Sequence, residues 1–311
     1  MQRPFAVILL VLLCSIKSAA QYDPSFSHYW AMETSFNPAA AGKVQKVNFV
    51  GAYAMTMAGF ENAPKTMLAS ADMPFYALGT FHGVGALFMN DQIGVFSHKR
   101  IALQYSVKRP LWGGVISLGI HAGALSENMD GSKLDLDNPD DPAFSTGEQT
   151  GTGLDLGAGL YFARSDWYAG VSVMHLNAPL VELGEKSELQ IDRTYYLTGG
   201  YNIRLRNPFF TIHPSMLART DGTAWRVDVG ARVKYMYEKR MFYAGASYSP
   251  TNSVTVLLGG NFHGVSLGYS YEFYTNGISL RNGSHELCVG YQMDLDFGKK
   301  GRNRHQSVRL L

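Results

Sequence analysis

The 311-residue sequence contains 33 glycines, 13% aromatic residues and only 17% charged residues, and its mean hydropathy of −0.08 is too low for a bundle of membrane helices. Twenty-seven lysines and arginines face 25 acids, a balance that argues against a nucleic-acid-binding chain. What fits is a chain with one apolar and one polar side to each segment, as an outer-membrane β-barrel has, where half of each strand meets lipid and half a polar lumen. A soluble sandwich or propeller is the competing class.

The first segment reads as an export signal. Arg3 precedes an apolar core from Phe5 to Ile16, and Ser18-Ala19-Ala20 supplies small residues for cleavage before Gln21. The core is shorter than the ~20 residues a spanning helix needs. Leu13 stands before Cys14 where a lipidation signal has a small residue, so lipidation is disfavoured. Loss of residues 1–20 removes Arg3 and Lys17, which balances the mature chain against its 25 acids, and leaves Cys288 without an internal disulfide partner.

Residues 21–43 are not strand-like. Asn37-Pro38 and Gly42 are turn chemistry, and the segment is expected to be a periplasmic lead-in that packs at or inside a barrel mouth. From residue 44 the chain alternates strand and break. Strands are expected over 44–54, 65–73, 83–89, 99–109, 112–125, around 154–162, and over 167–174, with a turn at Pro110-Leu111 and another at 164–166. Ile101, Leu103, Tyr105 and Val107 oppose Arg100, Gln104, Ser106 and Lys108.

Further strands are expected over 193–205, 209–219, 224–237, 241–248, 253–260 and 264–273, with a bulge at Pro214. In 224–237, Trp225, Val227, Val229, Ala231, Val233 and Tyr235 oppose Arg226, Asp228, Gly230, Arg232 and Lys234. Three basic residues and an acid on one strand face suit a polar lumen better than a soluble core. Glu272 and Glu286 fall on the same polar side of later strands. The last strand runs from Ser284 to Phe297 and carries Leu287, Val289, Tyr291, Met293, Leu295 and Phe297 on one face, with Phe297 as an interfacial anchor.

The fold class is therefore all-β, a transmembrane antiparallel β-barrel of about 14 strands spanning 44–297, with a basic periplasmic tail over 298–311. Short connections, among them Pro110-Leu111, 164–166, Asn207-Pro208 and Glu238-Lys239, belong on the periplasmic side. Long ones, 126–151, 175–192 and 274–283, belong outside.

No enzyme, metal or cofactor signature stands out. Gly157-Ala158-Gly159 lacks the third glycine of a dinucleotide loop and sits mid-strand, where glycine relieves crowding. His121 and His213 fall on the lumen face and read as solvated or hydrogen-bonded histidines. Ser284 and His285 are strand neighbours that point oppositely, so they do not form a catalytic pair. His285 belongs at the outer interface and Cys288 in the lumen as a structural residue. Asp135, Asp137, Asp140 and Asp141 are oxygen ligands of the kind calcium takes, but their spacing lacks the Gly and Glu of an EF-hand, so the 126–151 stretch reads as a solvated external loop.

Several stretches, in this order, carry a resemblance: residues 21–29 (Gln-Tyr-Asp-Pro-Ser-Phe-Ser-His-Tyr), Asn37-Pro38-Ala39-Ala40-Ala41-Gly42, Ala63-Pro64-Lys65-Thr66, residues 90–94, residues 170–176, and Ser284-His285-Glu286-Leu287 running to Gly290-Tyr291. Over nearly the whole mature chain the sequence resembles the PorP/SprF family of the type IX secretion system of Bacteroidota. It departs at Ala40, where the family usually has tyrosine. The resemblance implies an integral outer-membrane component needed for secretion of cargo with C-terminal sorting domains. It also implies association with periplasmic ring lipoprotein and associated components and with a peptidoglycan-binding protein. Expected contacts for such partners are Tyr29, Asn37 and Pro38 in the lead-in and Lys299, Lys300, Arg302 and Arg304 in the tail. A passive channel for a small solute is the alternative reading.

Overall fold

Two-residue alternation carries through into one closed sheet. A computed structural model describes residues 23–133, 147–184, 187–238, 240–250, 252–275 and 282–295. The expected signal segment, Asp135, Asp137, Asp140 and Asp141, Phe297 and the basic tail lie outside the described residues. Seven strands come first: β1 (Lys46–Met55), β2 (Lys65–Ala77), β3 (Thr80–Ile93), β4 (Phe96–Leu111), β5 (Gly114–Asp130), β6 (Glu148–Ala163) and β7 (Trp167–Met174). β8 is Thr194–Tyr201 continued by Ile203–Arg204. Then follow β9 (Phe210–Thr220), β10 (Trp225–Tyr237), β11 (Arg240–Ser249), β12 (Ser253–Phe262), β13 (Val265–Tyr274) and β14 (Ser284–Asp294). Each pairs antiparallel with its sequence neighbour, and β1 pairs with β14 from Lys46↔Asp294 to Met55↔His285, which closes a 14-stranded barrel. Closure leaves no edge, as lipid demands, because an unpaired backbone group there costs several kcal/mol.

The outer surface is apolar and the inner surface polar. On β14 Leu287, Val289, Tyr291 and Met293 face out and are exposed, while Glu286 and Cys288 face in and are buried. Aromatic rings gather at both rims. Phe49–Tyr291, Phe162–Trp167 and Phe242–Phe262 lie toward the periplasmic ends of their strands, and Tyr271–His285 lies at the outer end. Such girdles mark the two membrane interfaces.

The turns differ in detail from the expectation. Strands β2 to β6 run longer than the alternation suggests. The break expected over 90–94 shrinks to Gly94-Val95, and Pro110-Leu111 is the end of β4, followed by a tight turn at Trp112-Gly113. Leu78-Gly79, Trp112-Gly113 and His263-Gly264 each have positive φ at both positions, the geometry whose twist matches that of a two-residue hairpin. Pro214 makes no bulge. It keeps register with Ala231 on β10, and the interruption falls on the other side. There the β8–β9 pairing skips Tyr201 and Asn202, between Gly200↔Ser215 and Ile203↔Ile212, while Asn202 N–H continues the β7 side by donating to the Asp166 carbonyl at 2.7 Å. Proline offers no N–H to β8, so the ladder skips that place.

The acidic external stretch is also shorter than 126–151, because β5 runs to Asp130 and β6 starts at Glu148. Glu127 is a buried, inward residue held by His98. The connection after β7 carries a hairpin, Leu180–Leu183 with Ser187–Gln190. Its Val181 packs with Ile191 against the inward Leu125, so the hairpin folds into the outer mouth.

Leu258, outward and mid-strand on β12, tests the lipid face. Leu258→Arg is expected to lower barrel stability by about 2–4 kcal/mol in urea titrations from lipid vesicles. Unchanged stability would remove this residue from the lipid face.

Candidate functional site

A barrel of this size has room for more than its own inward side chains, and the chain fills that space with its own N-terminal segment. Residues 23–42 form three short 3-10 turns, Tyr29–Ala31, Glu33–Ser35 and Pro38–Ala40, and thread the lumen from the outer half to the periplasmic mouth. A segment without strand or helix ladders leaves most of its carbonyls and N–H groups unmatched, and buried groups of that kind must find partners. The inward side chains of the wall supply them.

At the outer half stands Asp23. His175 Nε2 lies 3.2 Å from its Oδ1, the Tyr196 hydroxyl donates to it, and Arg100 pairs with it at 3.4 Å. Arg219 donates to the Asp23 carbonyl at 2.6 Å and to that of Pro24 at 2.9 Å. Asp155 holds the other nitrogen of His175 at 2.8 Å and His121 at 2.9 Å. Burial alone would raise the Asp23 pKa, yet the charges of His175 and Arg100 hold it well below the usual carboxylate range. Burial disfavours the His175 cation, but Asp23 and Asp155 reverse that and push its pKa up to about 9. His175 is therefore charged, and the anions Asp23 and Asp155 lie among the cations His175 and Arg100, with Arg219 beside them on the Asp23 and Pro24 carbonyls.

Midway, the wall reads the segment's backbone. Glu286 accepts from the Ser27 and His28 N–H groups at 2.5 and 3.0 Å and bonds His28 Nδ1 at 2.6 Å. The Tyr29 hydroxyl meets Ser215 at 2.8 Å. Gln104 donates to the Thr34 carbonyl at 2.5 Å, Arg100 to that of Ser35 at 2.9 Å, and Ser172 to that of Phe36 at 2.6 Å. Phe26 and Met32 pack with Val50, Leu68, Leu87 and Cys288 in a buried apolar cluster, so Cys288 is a packing residue.

Toward the periplasm the Asn37–Gly42 run is almost wholly buried. Asn37 caps the last 3-10 turn by accepting from Ala39 N–H at 3.0 Å and donates to the Leu160 carbonyl at 3.2 Å. Its neighbours on the wall are glycines. A Cβ on Gly119 would lie 2.2 Å from Ala39 N, and one on Gly159 would lie 2.1 Å from Asn37 Oδ1. Gly42 takes φ +65°, and a Cβ there would meet Gly83 Cα at 2.8 Å. Ser106 donates to the Ala41 carbonyl at 2.9 Å, Lys108 joins it, and Gly42 N–H donates to Asp72 at 2.8 Å. Below this seal lies a recess of ≈ 390 Å³ at the periplasmic mouth, walled by Pro74, Phe81, Pro110 and Tyr161 with Lys43 and Lys108.

The structure thus places Tyr29, Asn37 and Pro38 inside the lumen, buried. Tyr29 and Asn37 turn their side chains to the barrel wall. The wall needs them, since the segment's polar groups are matched only there. Lys299, Lys300, Arg302 and Arg304 lie outside the described residues. Arg226 holds Asp228 in a two-nitrogen fork at 3.0 Å and reaches Glu272 at 2.9 Å, all on the lumen side. Arg232 stacks on Trp30 at 3.6 Å, Lys234 is half-buried beside it in sequence, and Glu286 holds the segment. His121 is buried on Asp155, and His285 sits outside against the Tyr269 hydroxyl at 2.8 Å. Among the described residues no group of three or more His, Cys, Asp or Glu could hold a metal.

The sequence places Arg100 on the polar face of its strand and Asp23 and His175 within the stretches that carry the resemblance, but it assigns no role to them or to Asp155, Tyr196 and Arg219. The available signal was parity: Arg100, Asp155, Tyr196 and Arg219 all lie on the inward series of their strands.

Residues 18–291 match the family model described as type IX secretion system membrane protein PorP/SprF. No curated protein matches the chain. Among solved structures, the CymD monoaromatic hydrocarbon channel is similar at 11% identity and a TM-score of 0.50, over 85% of this chain and 93% of that one. A FadL homologue of Pseudomonas aeruginosa matches at 12% identity, TM-score 0.48, over 90% and 96%. The toluene transporter TbuX of Ralstonia pickettii matches at 11%, TM-score 0.46, over 85% and 93%. At such identities the likeness is one of fold alone.

Two outcomes follow from the lumen. A bulky side chain at a glycine notch, Gly119→Leu or Gly159→Leu, is expected to dislodge residues 37–42 while the barrel persists. Hydrogen exchange of those amides should rise by orders of magnitude as the wall closes against them, and unchanged protection would refute the notch. The second concerns pH. The raised His175 pKa gives stability that is full below about 6.5 and lost as pH rises through about 9. The depressed Asp23 pKa gives stability present above about 3.9 and lost as pH falls further. Protection of residues 23–28, corrected for intrinsic exchange, should therefore peak between about pH 4 and 6.5. Asp23→Asn should weaken the segment's hold by about 3–5 kcal/mol and flatten both limbs.

Proposed function

The chain belongs to the PorP/SprF family of type IX secretion system membrane proteins and is an outer-membrane β-barrel, and from that premise we propose that it is a non-enzymatic anchor rather than a conduit. In this reading it holds periplasmic ring components, a ring lipoprotein and its associated protein, together with a peptidoglycan-binding protein, at the outer membrane. It supports secretion of cargo with C-terminal sorting domains without passing that cargo through its own lumen.

The observation that carries the reading is the occupied lumen. Residues 23–42 lie mostly buried along its length and exchange backbone hydrogen bonds with Gln104, Ser106, Ser172 and Glu286. A passive solute channel would need that segment to leave, stranding the carboxylates and cations that now pair with it. The contacts of the anchor then fall to the periplasmic side: the recess walled by Pro74, Phe81, Pro110 and Tyr161 with Lys43 and Lys108, the short turns, and the tail residues Lys299, Lys300, Arg302 and Arg304. Apolar walls edged with lysine suit a partner segment that carries both apolar and acidic side chains.

Purified protein in planar bilayers is expected to show no large, steady pore current, and such a current from the intact chain would overturn the anchor reading. Crosslinking pulldown from outer membrane should recover periplasmic proteins with the full chain and fewer with a chain truncated after Phe297. Equal recovery would remove the tail from the contact surface and leave the recess as the docking place.

A further inference from the structure

Two lumen cations, Arg232 and Lys234, border one cavity. β9 and β10 bring His213 opposite Arg232, with Lys234 two residues further along the same inward face. Arg232 and Lys234 are like charges at neighbouring positions on the inward face of one strand, so they repel unless something negative meets them. The chain's own acids nearby are committed elsewhere. Asp228 lies in the fork of Arg226, and Glu33, which borders the same space, takes Lys43 at 2.5 Å. Among the described residues neither Arg232 nor Lys234 has a carboxylate within ion-pair distance. Arg232 is more than nine-tenths buried, its Nε has no hydrogen-bond partner, and its guanidinium lies over the Trp30 ring at 3.6 Å. That stacking fixes the plane of the fork and leaves its N–H edge free.

The edge borders a cavity of ≈ 40 Å³, lined also by Tyr168, Ser215, His213 and Lys234. Its size suits an oxyanion in place of roughly two or three waters. Lys234 lies near the periplasmic end of β10 and is only half-buried, which gives the cavity a side toward the periplasmic mouth.

We infer that this cavity is a binding site for a single oxyanionic group, a carboxylate or a phosphate, that enters from the periplasmic side and is held by Arg232 and Lys234. Arg232 presents a planar fork with donors matched to two oxygens, Lys234 adds a point charge, and the Ser215 hydroxyl and His213 ring border the remaining side. The site is separate from the Asp23 network, which lies in the outer half. It does not depend on which partner docks at the mouth.

The test uses the full-length protein in detergent, titrated with sodium phosphate or sodium acetate while chloride keeps ionic strength constant. The thermal midpoint and the tryptophan emission are both read, because Trp30 lies against the ligand-binding guanidinium. The expected result is a saturable change with at least one anion, weakened about tenfold or more in Arg232→Gln and weakened in Lys234→Met. Saturation with phosphate alone points to a phosphorylated ligand, and saturation with acetate points to a carboxylate. If Arg232→Gln fails to fold, as heat-modifiable gel mobility would reveal, Lys234→Met decides. The inference is overturned if neither anion gives a saturable change, or if the folded variants respond as the wild type does.

Discussion

The constraint on which the structure depends is that polar groups removed from water must be matched, once on the sheet and once again inside it. The first matching is solved by closure. β1 and β14 pair over ten residues each, and no strand edge meets lipid. The second is harder, because a wall of 14 strands turns a dense array of Arg, Asp, His, Gln and Ser side chains inward. Water could solvate them and leave a pore. Here the chain's own residues 23–42 take that place, and the fit is chemical as well as steric. Acceptors of the segment face donors of the wall at Gln104, Arg100, Ser172 and Arg219, and its N–H groups face acceptors at Glu286 and Asp72.

Charge follows the same rule. A lone carboxylate at the position of Asp23 would be expelled or protonated. With His175, Arg100, Tyr196 and Arg219 around it, Asp23 stays ionised and becomes the tie that holds the start of the described segment in the outer half of the barrel. Apolar packing around Phe26 and Met32 fills what the polar contacts leave. The result is a lumen filled along most of its length by the chain itself, with the cations Arg232 and Lys234 left bordering a cavity.

How much of this could be read from residues alone depends on periodicity. The barrel was legible because β10 and β14 alternate without error over a dozen residues, and lipid on one side enforces that alternation. Strand ends were less legible, since lumen polarity lets strands such as β3 and β5 run on through Asn90 and Glu127 without an apolar partner series. Pro214 misled for a definite reason: proline forbids one hydrogen bond, and the sheet lost it on the β8 side, at Tyr201 and Asn202, without inserting a residue. Residues 23–42 have no period, because their partners lie on many different strands. Their burial was foreshadowed only by small residues meeting small residues, Asn37–Gly42 against Gly83, Gly119 and Gly159, which sequence order keeps far apart.

The same segment bears on how the barrel closes. It runs directly into β1, and β1 is one side of the seam. Gly42 N–H is held by Asp72 on β2, and the Ser27 and His28 N–H groups are held by Glu286 on β14. The segment therefore grips both strands that flank β1. A barrel closed first would have to admit residues 23–42 past Lys108 and the Pro74–Phe81 rim, with Asp23 carried through to the outer half. Docking of the segment before or together with the β1–β14 pairing avoids that passage, and Glu286 then makes the filled lumen a condition that favours the closed seam. The two matchings are thus one process. The strand whose outward residues seal the sheet against lipid is also the strand whose inward carboxylate fastens what fills it.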